Sequence, residues 1–295
     1  MKALVFGANG QDGHYLRQLC IKNGIEPVCI SRTGQRIQAD VSCHEQVEQL
    51  VKTHRPDYIF HIAANSTTRH DALYDNYRAI STGSINILES VRRYCGGARV
   101  FITGSGVQFR NRGEPISELD AFEASSAYAL ARIQAVFAAR YFRSLGVHAY
   151  VGYLFHHESP LRRQAHISQK IVTAARKIAA GSHTVLELGD IDVKKEWVFA
   201  GDTVRAMFNL LEQDTVFETT IGSGLAYSIR DWLEQCFSSI GKNWQDYVKL
   251  RSEFVPEYRC LVSNPGTIHA LGWRPETNFH ELADLMMSAQ TSAPA

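Results

Sequence analysis

Three glycines stand at the spacing G-x-x-G-x-x-G in Gly7-Ala8-Asn9-Gly10-Gln11-Asp12-Gly13, between an apolar run and an amphipathic one. That pattern suits a diphosphate. The first glycine permits a tight turn, the second lets backbone approach the phosphates, and the third lets a helix pack on a strand. The helix that follows points free N–H groups at the anion. Asn9, Gln11 and Asp12 complete the loop and are expected at the same site. Where an NAD-binding chain commonly carries Asp or Glu for the ribose hydroxyls, this one has Ile30-Ser31-Arg32-Thr33. Arg32 can pair with a 2′-phosphate at two points, with Ser31 beside it, so NADP is favoured over NAD. Asp40 and Val41 are placed to meet the adenine. Ala63 and Ala64 are small enough to let a cofactor lie against a sheet edge.

These residues need a particular scaffold. Lys2–Gly7, Glu26–Ile30, Tyr58–Ile62, Arg99–Thr103 and Val147–Leu154 read as short buried strands. Between them lie helical patterns at Gln11–Lys22, from Ser42 or Cys43 to His54, at Leu73–Tyr94 and at Ala127–Leu145. In the third of these, Ile80, Ile85, Ile87, Leu88 and Val91 are expected to face inward. Strand and helix alternating at this rhythm predict an α/β fold, a Rossmann-type doubly wound parallel sheet. After about residue 155 the pattern loosens. Helices are expected at His166–Ala180, Asp202–Leu211, Ser228–Ile240 and Phe279–Met287, with a strand at Thr184–Leu188 and Ser228 as a cap. The division expected is residues 1–160 for the dinucleotide and 161–295 for a smaller substrate-binding lobe, with the chain crossing between them.

The 295 residues are 45% hydrophobic, enough for a large core. Lys+Arg 31 against Asp+Glu 30 leaves a near-neutral surface, which argues against a nucleic-acid partner. No apolar stretch is long enough to span a membrane, and the N-terminus lacks a secretory pattern. Six scattered cysteines form no C-x-x-C and no zinc spacing, so neither metal nor disulfide is expected, and a cytoplasmic setting is. The short tail TSAPA is the one low-complexity segment.

Four motifs, Gly7–Leu16 (GANGQDGHYL), Leu154–Pro160 (LFHHESP), Leu188–Trp197 (LGDIDVKKEW) and Asp202–Met207 (DTVRAM), carry a resemblance. From Met1 to about Pro275 the chain resembles an extended short-chain dehydrogenase/reductase, of the NAD-dependent epimerase/dehydratase family. Within it the chain is most similar to the GDP-mannose 4,6-dehydratase branch. The resemblance implies NADP in the first lobe and a nucleoside-diphosphate sugar, a GDP-hexose, in the second. It also implies removal of hydride from C4 of the hexose, with a Tyr taking the hydroxyl proton. A Lys four residues on and a Ser or Thr nearby assist. In the dehydratases a Glu then abstracts at C5, water leaves C6, and the hydride returns to C6.

Against that pattern the chain departs at the chemistry. Tyr128 matches the tyrosine, but Arg132 stands at the lysine, in Y-A-L-A-R. In Thr103–Phe109 the family's Thr falls on Gly106 and its Glu on Gln108, with Ser105 one residue early. Arg132 keeps a positive charge beside Tyr128, but a guanidinium does not give up its proton. The Gln108 amide cannot act as a general base. Full dehydration is therefore not expected, whereas redox at one sugar carbon, using Tyr128 with Ser105, survives. Arg32 and Asp40 are only eight residues apart. This shortness is similar to the related 4-keto-6-deoxymannose reductases and argues for a dimer or a monomer, a homodimer being expected.

On the sugar side, His156, His157 and Glu158 end a strand. The resemblance puts an Asn on the nucleotide sugar at position 156, and basic groups near the nucleotide at Lys170 and Lys195. Lys194 is expected to be a solvated neighbour. Arg162 and Arg163 either approach the guanine or face water. Glu158 and Glu196 are read as partners of these cations, Trp197 as core, and Arg259 as a replacement for the Arg the family carries before Pro256. Three readings stay open: a dehydratase-family enzyme halted at redox, a 4-keto-6-deoxymannose reductase-like enzyme, and a catalytically weakened protein that binds NADP and a GDP-sugar.

Overall fold

The computed structural model describes residues 1–251 and 253–289; the tail TSAPA lies outside them. The first half runs β1 (Lys2–Phe6), α1 (Gln11–Lys22), β2 (Glu26–Ser31), β3 (Ile37–Gln38), α2 (His44–His54) and β4 (Tyr58–His61). It continues through α3 (Leu73–Asn76), α4 (Gly83–Tyr94), β5 (Arg99–Ser105), α5 (Ala127–Ser144) and β6 (His148–Leu154). Between α3 and α4 the chain stays helical, but Tyr77–Thr82 widens into π turns. Ile80, Ile87, Leu88 and Val91 are buried as expected, whereas Ile85 is exposed. It lies off the stripe that the other four define at 3.6 residues per turn.

The second half runs β7 (His157–Glu158), α6 (Ile167–Ala179), β8 (Leu186–Leu188), β9 (Lys194–Glu196), β10 (Val198–Phe199), α7 (Ala200–Leu211) and β11 (Glu218–Ile221). There follow β12 (Ala226–Ser228), α8 (Ile229–Ser238), β13 (Val248–Leu250), β14 (Cys260–Leu261), α9 (Gly266–Ala270) and α10 (Phe279–Ser288). Ser228 caps α8, its hydroxyl accepting from the Asp231 N–H at 3.0 Å. The expected strand at Thr184–Leu188 is shorter, beginning at Leu186.

Seven strands form one sheet in the order β11-β6-β5-β4-β1-β2-β3, every neighbouring pair parallel. Order reverses at β1, between β4 and β2, and a doubly wound sheet binds ligands in the crevice at that point. Apolar side chains on both faces make two cores. One is built on Leu4, Ile59 and Val100, the other on Val5, Phe60 and Phe101, as a sheet covered on both sides requires. A third core belongs to the C-terminal lobe. There Trp197 stacks on Trp232 with centroids 4.4 Å apart, so Trp197 is core. The stretch Ala200–Ile221 lies beyond the expected boundary at residue 160 yet serves the first sheet: β11 pairs with β6. No helix among the described residues is long and apolar enough to cross a membrane.

The returning strand β11 is tied down by charge. Glu218 accepts from Arg140 Nη2 at 2.7 Å, from an Arg143 guanidinium N–H at 3.1 Å and from the Tyr153 hydroxyl at 2.6 Å. Burial opposes the carboxylate, but these donors hold its pKa below the usual value. Its contribution is therefore present above the ordinary carboxylate range and lost as pH falls through the lowered pKa. Glu218→Ala strands the fully buried Tyr153 hydroxyl and is expected to cost about 1–3 kcal/mol at neutral pH. Urea unfolding checks this; the gap between wild type and variant should shrink in acid, and an equal gap at both pH values would contradict the assignment.

Candidate active site

The glycine loop is shaped by close approach. Gly7 has φ +100, and a Cβ there would lie 2.7 Å from the Ala63 nitrogen. At Gly13 it would lie 2.5 Å from the Ala8 Cα. Both positions exclude any side chain. Gly10 sits at the N-cap of α1 and offers no side-chain oxygen, so nothing of its own covers the helix end. Asn9 turns sideways: its amide donates to the Thr33 carbonyl at 2.7 Å and accepts from Arg36 Nε at 3.0 Å, organising the loop after β2.

From this loop a cleft of about 560 Å³ runs along the C-terminal edge of the sheet. Ser31, Arg32, Asp40, Val41, Ala63 and Ala64 line one end. Asp40 accepts from the Ser42 backbone and hydroxyl at 2.9 and 2.8 Å. Burial opposes its charge, but those bonds and the nearby Arg32 and Arg78 hold its pKa below the usual value. With no carboxylate at the end of β2, Arg32 faces the cleft where a ribose-binding acid would stand. The cradle, the bare helix end and Arg32 fit a dinucleotide.

Further along, Ser105, Tyr128 and Arg132 share the cleft wall. Arg132 is 3% exposed. Its Nη1 donates to the Thr103 carbonyl at 2.6 Å, and its guanidinium carbon lies 5.0 Å from the Tyr128 ring centre. Its Nε has no partner among the described residues. Burial first, then the Arg132 charge, pushes the nearby His61 down to about 4, so that imidazole is neutral.

Gln108 is not on this wall. Its side-chain oxygen accepts from the Ser105 N–H at 2.8 Å, and the residue is fully buried. The amide thus closes a short capping turn, with the Ser105 hydroxyl accepting in return from the Gln108 backbone. Gly106 has a physical reason as well. A Cβ there would meet the Phe155 ring at 2.8 Å, so the aromatic ring occupies the space a hydroxyl-bearing side chain needs.

The sugar-side residues divide. His156 lines the cleft with its Nε2 3.1 Å from the Tyr258 hydroxyl. Burial, then the Lys195 charge, puts its pKa well below the usual value. Lys195 is buried with Nζ 4.5 Å from the Trp197 ring centre, and burial lowers its pKa to about 8; Lys194 is exposed. Glu158 is buried, accepting from Ser168 at 2.7 Å and pairing with Arg162 at 3.2 Å. Glu196 pairs with no cation among the described residues; it accepts backbone N–H groups of Ser223 and Ser263. His157 turns from the sugar side to Asp12. Lys170 is exposed and off the cleft. Arg259 points outward and pairs with Asp190 at 3.1 Å, so it replaces nothing at the cleft. Its neighbours Glu257 and Tyr258 take the wall instead, and Arg162 and Arg163 both reach it. Sequence reasoning missed Tyr258, whose one signal is its place beside Pro256.

A seven-stranded parallel sheet of this order, opening at its switch point on a glycine cradle, is the fold of a short-chain dehydrogenase/reductase. Residues 4–286 match the family model described as GDP-mannose 4,6 dehydratase, and the chain belongs to that family. It is 29% identical to GDP-mannose 4,6 dehydratase 1 of Arabidopsis thaliana, covering 97% of this chain and 88% of that one. It is 26% identical to GDP-mannose 4,6-dehydratase of Sinorhizobium fredii, covering 98% and 96%. Among solved structures, UDP-glucose 4-epimerase of Thermus thermophilus in complex with NAD superposes with a TM-score of 0.83 at 21% identity, covering 97% and 98%. RMD of Pseudomonas aeruginosa complexed with NADPH gives 0.80 at 20%, covering 97% of each chain.

Gly106→Thr should destabilise the protein by about 1–3 kcal/mol through overpacking on Phe155. Adding Phe155→Ala should cost less than the two single effects together, because the ring that clashes is gone. Strict additivity in denaturant melts would refute the contact.

Proposed function

We propose that this protein is an NADP-dependent enzyme that transfers hydride at C4 of a GDP-hexose without completing dehydration. The observation that carries the reading is the shared wall of Tyr128, Ser105 and Arg132, from which Gln108 is turned away. The Gly7–Gly13 cradle would hold the dinucleotide and Arg32 its 2′-phosphate, and the bound group would supply hydride acceptance or donation. The chain's own groups do the rest. Tyr128 takes the proton of the sugar hydroxyl, or returns it in the reductive direction. Ser105 donates to the same oxygen. Arg132 faces the negative charge that develops on Tyr128 and holds the ring in place, but it cannot pass a proton onward. At the position of the family's Glu stands Gln108, whose amide does not take a proton and which lies off this wall.

The Sinorhizobium and Arabidopsis relatives are named as GDP-mannose dehydratases, which favours GDP and a mannose-type ring. Reduction of a 4-keto sugar, the direction of the 4-keto-6-deoxymannose reductases, uses the same three residues. A protein that binds both ligands without turnover is the reading to which a silent assay would lead. A homodimer is supported by the apolar side chains that α5 leaves exposed, Leu130, Phe137 and Tyr141.

Incubation with GDP-mannose and NADP should give a product two hydrogens lighter by mass spectrometry. Tyr128→Phe should abolish its formation while leaving NADP affinity nearly intact. A product that has lost water would overturn the reading of Gln108, and activity in Tyr128→Phe the assignment of the proton carrier. Arg32→Glu should weaken NADP by about tenfold or more, one charge-assisted contact being worth about 1.5–3 kcal/mol, and leave NAD almost unchanged. Calorimetry with both dinucleotides measures it; equal losses would remove the 2′-phosphate assignment.

A further inference from the structure

His157, largely but not fully buried, is the one imidazole whose two ring nitrogens both meet acceptors among the described residues. Nδ1 lies 2.8 Å from the Phe155 carbonyl, and Nε2 lies 3.0 and 3.1 Å from the two Asp12 oxygens. A neutral imidazole has one N–H and can satisfy one of these partners; only the imidazolium donates to both. Asp12 is the second residue of α1, inside the turn whose N–H groups face the cleft. A bare carboxylate there would repel a diphosphate. Gln11 completes the arrangement: its amide donates to the His157 carbonyl at 3.3 Å, and its oxygen accepts from the Ser159 hydroxyl at 2.8 Å.

We propose that His157 is a positioning residue for the dinucleotide: its imidazolium cancels the Asp12 charge and pins the first turn of α1 so that a diphosphate can dock. This rests on the reading of the glycine loop as a dinucleotide site and adds to it a charge state that the loop requires. The other ionisable groups facing the pair are Tyr15 of α1, His156 of the same strand end and Arg162 of the loop before α6. Lys195 of β9 acts on His156 and Glu158 rather than on His157. Burial penalises the charged ring, but the Asp12 carboxylate and its hydrogen bond outweigh it and raise the His157 pKa above its usual value.

The sign follows. Below its pKa His157 is charged and the loop is neutralised. As pH rises through that pKa, His157 loses its proton, one hydrogen bond breaks and Asp12 is left uncompensated. Dinucleotide affinity should therefore fall with rising pH, and binding above the pKa should take up a proton.

The test is NADP affinity by calorimetry between about pH 6 and about pH 9.5, for wild type, His157→Gln and Asp12→Asn. Wild-type affinity should drop by about tenfold, the factor that corresponds to one pKa unit of coupling. His157→Gln should bind as weakly at low pH as wild type does at high pH, with a flat profile. Asp12→Asn, which keeps the side-chain shape and the acceptor oxygen, should bind as wild type does at low pH, also flat. A wild-type profile shared by His157→Gln overturns the proposal, because Lys195 or another group then carries the titration; so does a flat wild-type profile. Absence of NADP and NAD binding by wild type at every pH is a different result, which removes the dinucleotide reading itself and the proposal with it.

Discussion

One set of contacts joins the two halves of the cleft: Gln11 and Asp12 in the first turn of α1 grip His157 and Ser159 beyond the end of β6. The sheet alone sets the two segments at the same edge, because parallel strands all end there. It does not fix the distance between a loop at β1 and a loop at β6, which are separated by β4 and β5. The clasp does so with a hydrogen bond to a carboxylate and two neutral ones in a part-buried setting, where such bonds are stronger than in open water. The rest of the site inherits this spacing. His156 is adjacent to the clasp, and Glu158, held by Ser168 and Arg162, continues it into the second lobe.

The elements of the scaffold were legible because short-range pattern dictates them. A buried parallel strand is a continuous apolar run, and the glycine loop is a steric requirement written in residue type. Tyr128 and Arg132 were picked out by the family resemblance, and α5 sets them four apart on one face. Side chains whose destination depends on a distant partner were not. Arg259 is drawn away by Asp190, and His157 by Asp12, 145 positions earlier. Nothing local to either residue announces the partner. Gln108 shows a different limit. Its position in the loop was legible, but its direction is set by the Ser105 N–H and by the tight packing of Tyr153 at Gly104. The return of β11 to the first sheet was equally hidden, since a short strand carries no mark of which sheet it will join.

The residues that depart from the family pattern around Tyr128 are each held by close contacts. The Phe155 ring rests close to where a side chain at residue 106 would begin, so a threonine there requires the ring to shift. Gln108 is locked in a reciprocal cap and buried completely, so a glutamate restored at that position would face the same burial without reaching the cleft. Reversal of any single departure therefore does not recreate the dehydratase arrangement.

Arg132 argues in the other direction, against simple decay of the site. A buried guanidinium is expensive, and a position kept only for packing is better served by an apolar residue. Here the charge is retained with a carbonyl and an aromatic face as its protein partners, and with Nε unmatched among the described residues. It also helps hold His61 neutral rather than letting a second positive charge form beside it. Such an arrangement makes physical sense when something polar or anionic in the cleft completes it. Under the proposed function, a cation at residue 132 with an amide at residue 108 fits a site that binds its ligands and moves one proton with Tyr128 without expelling water.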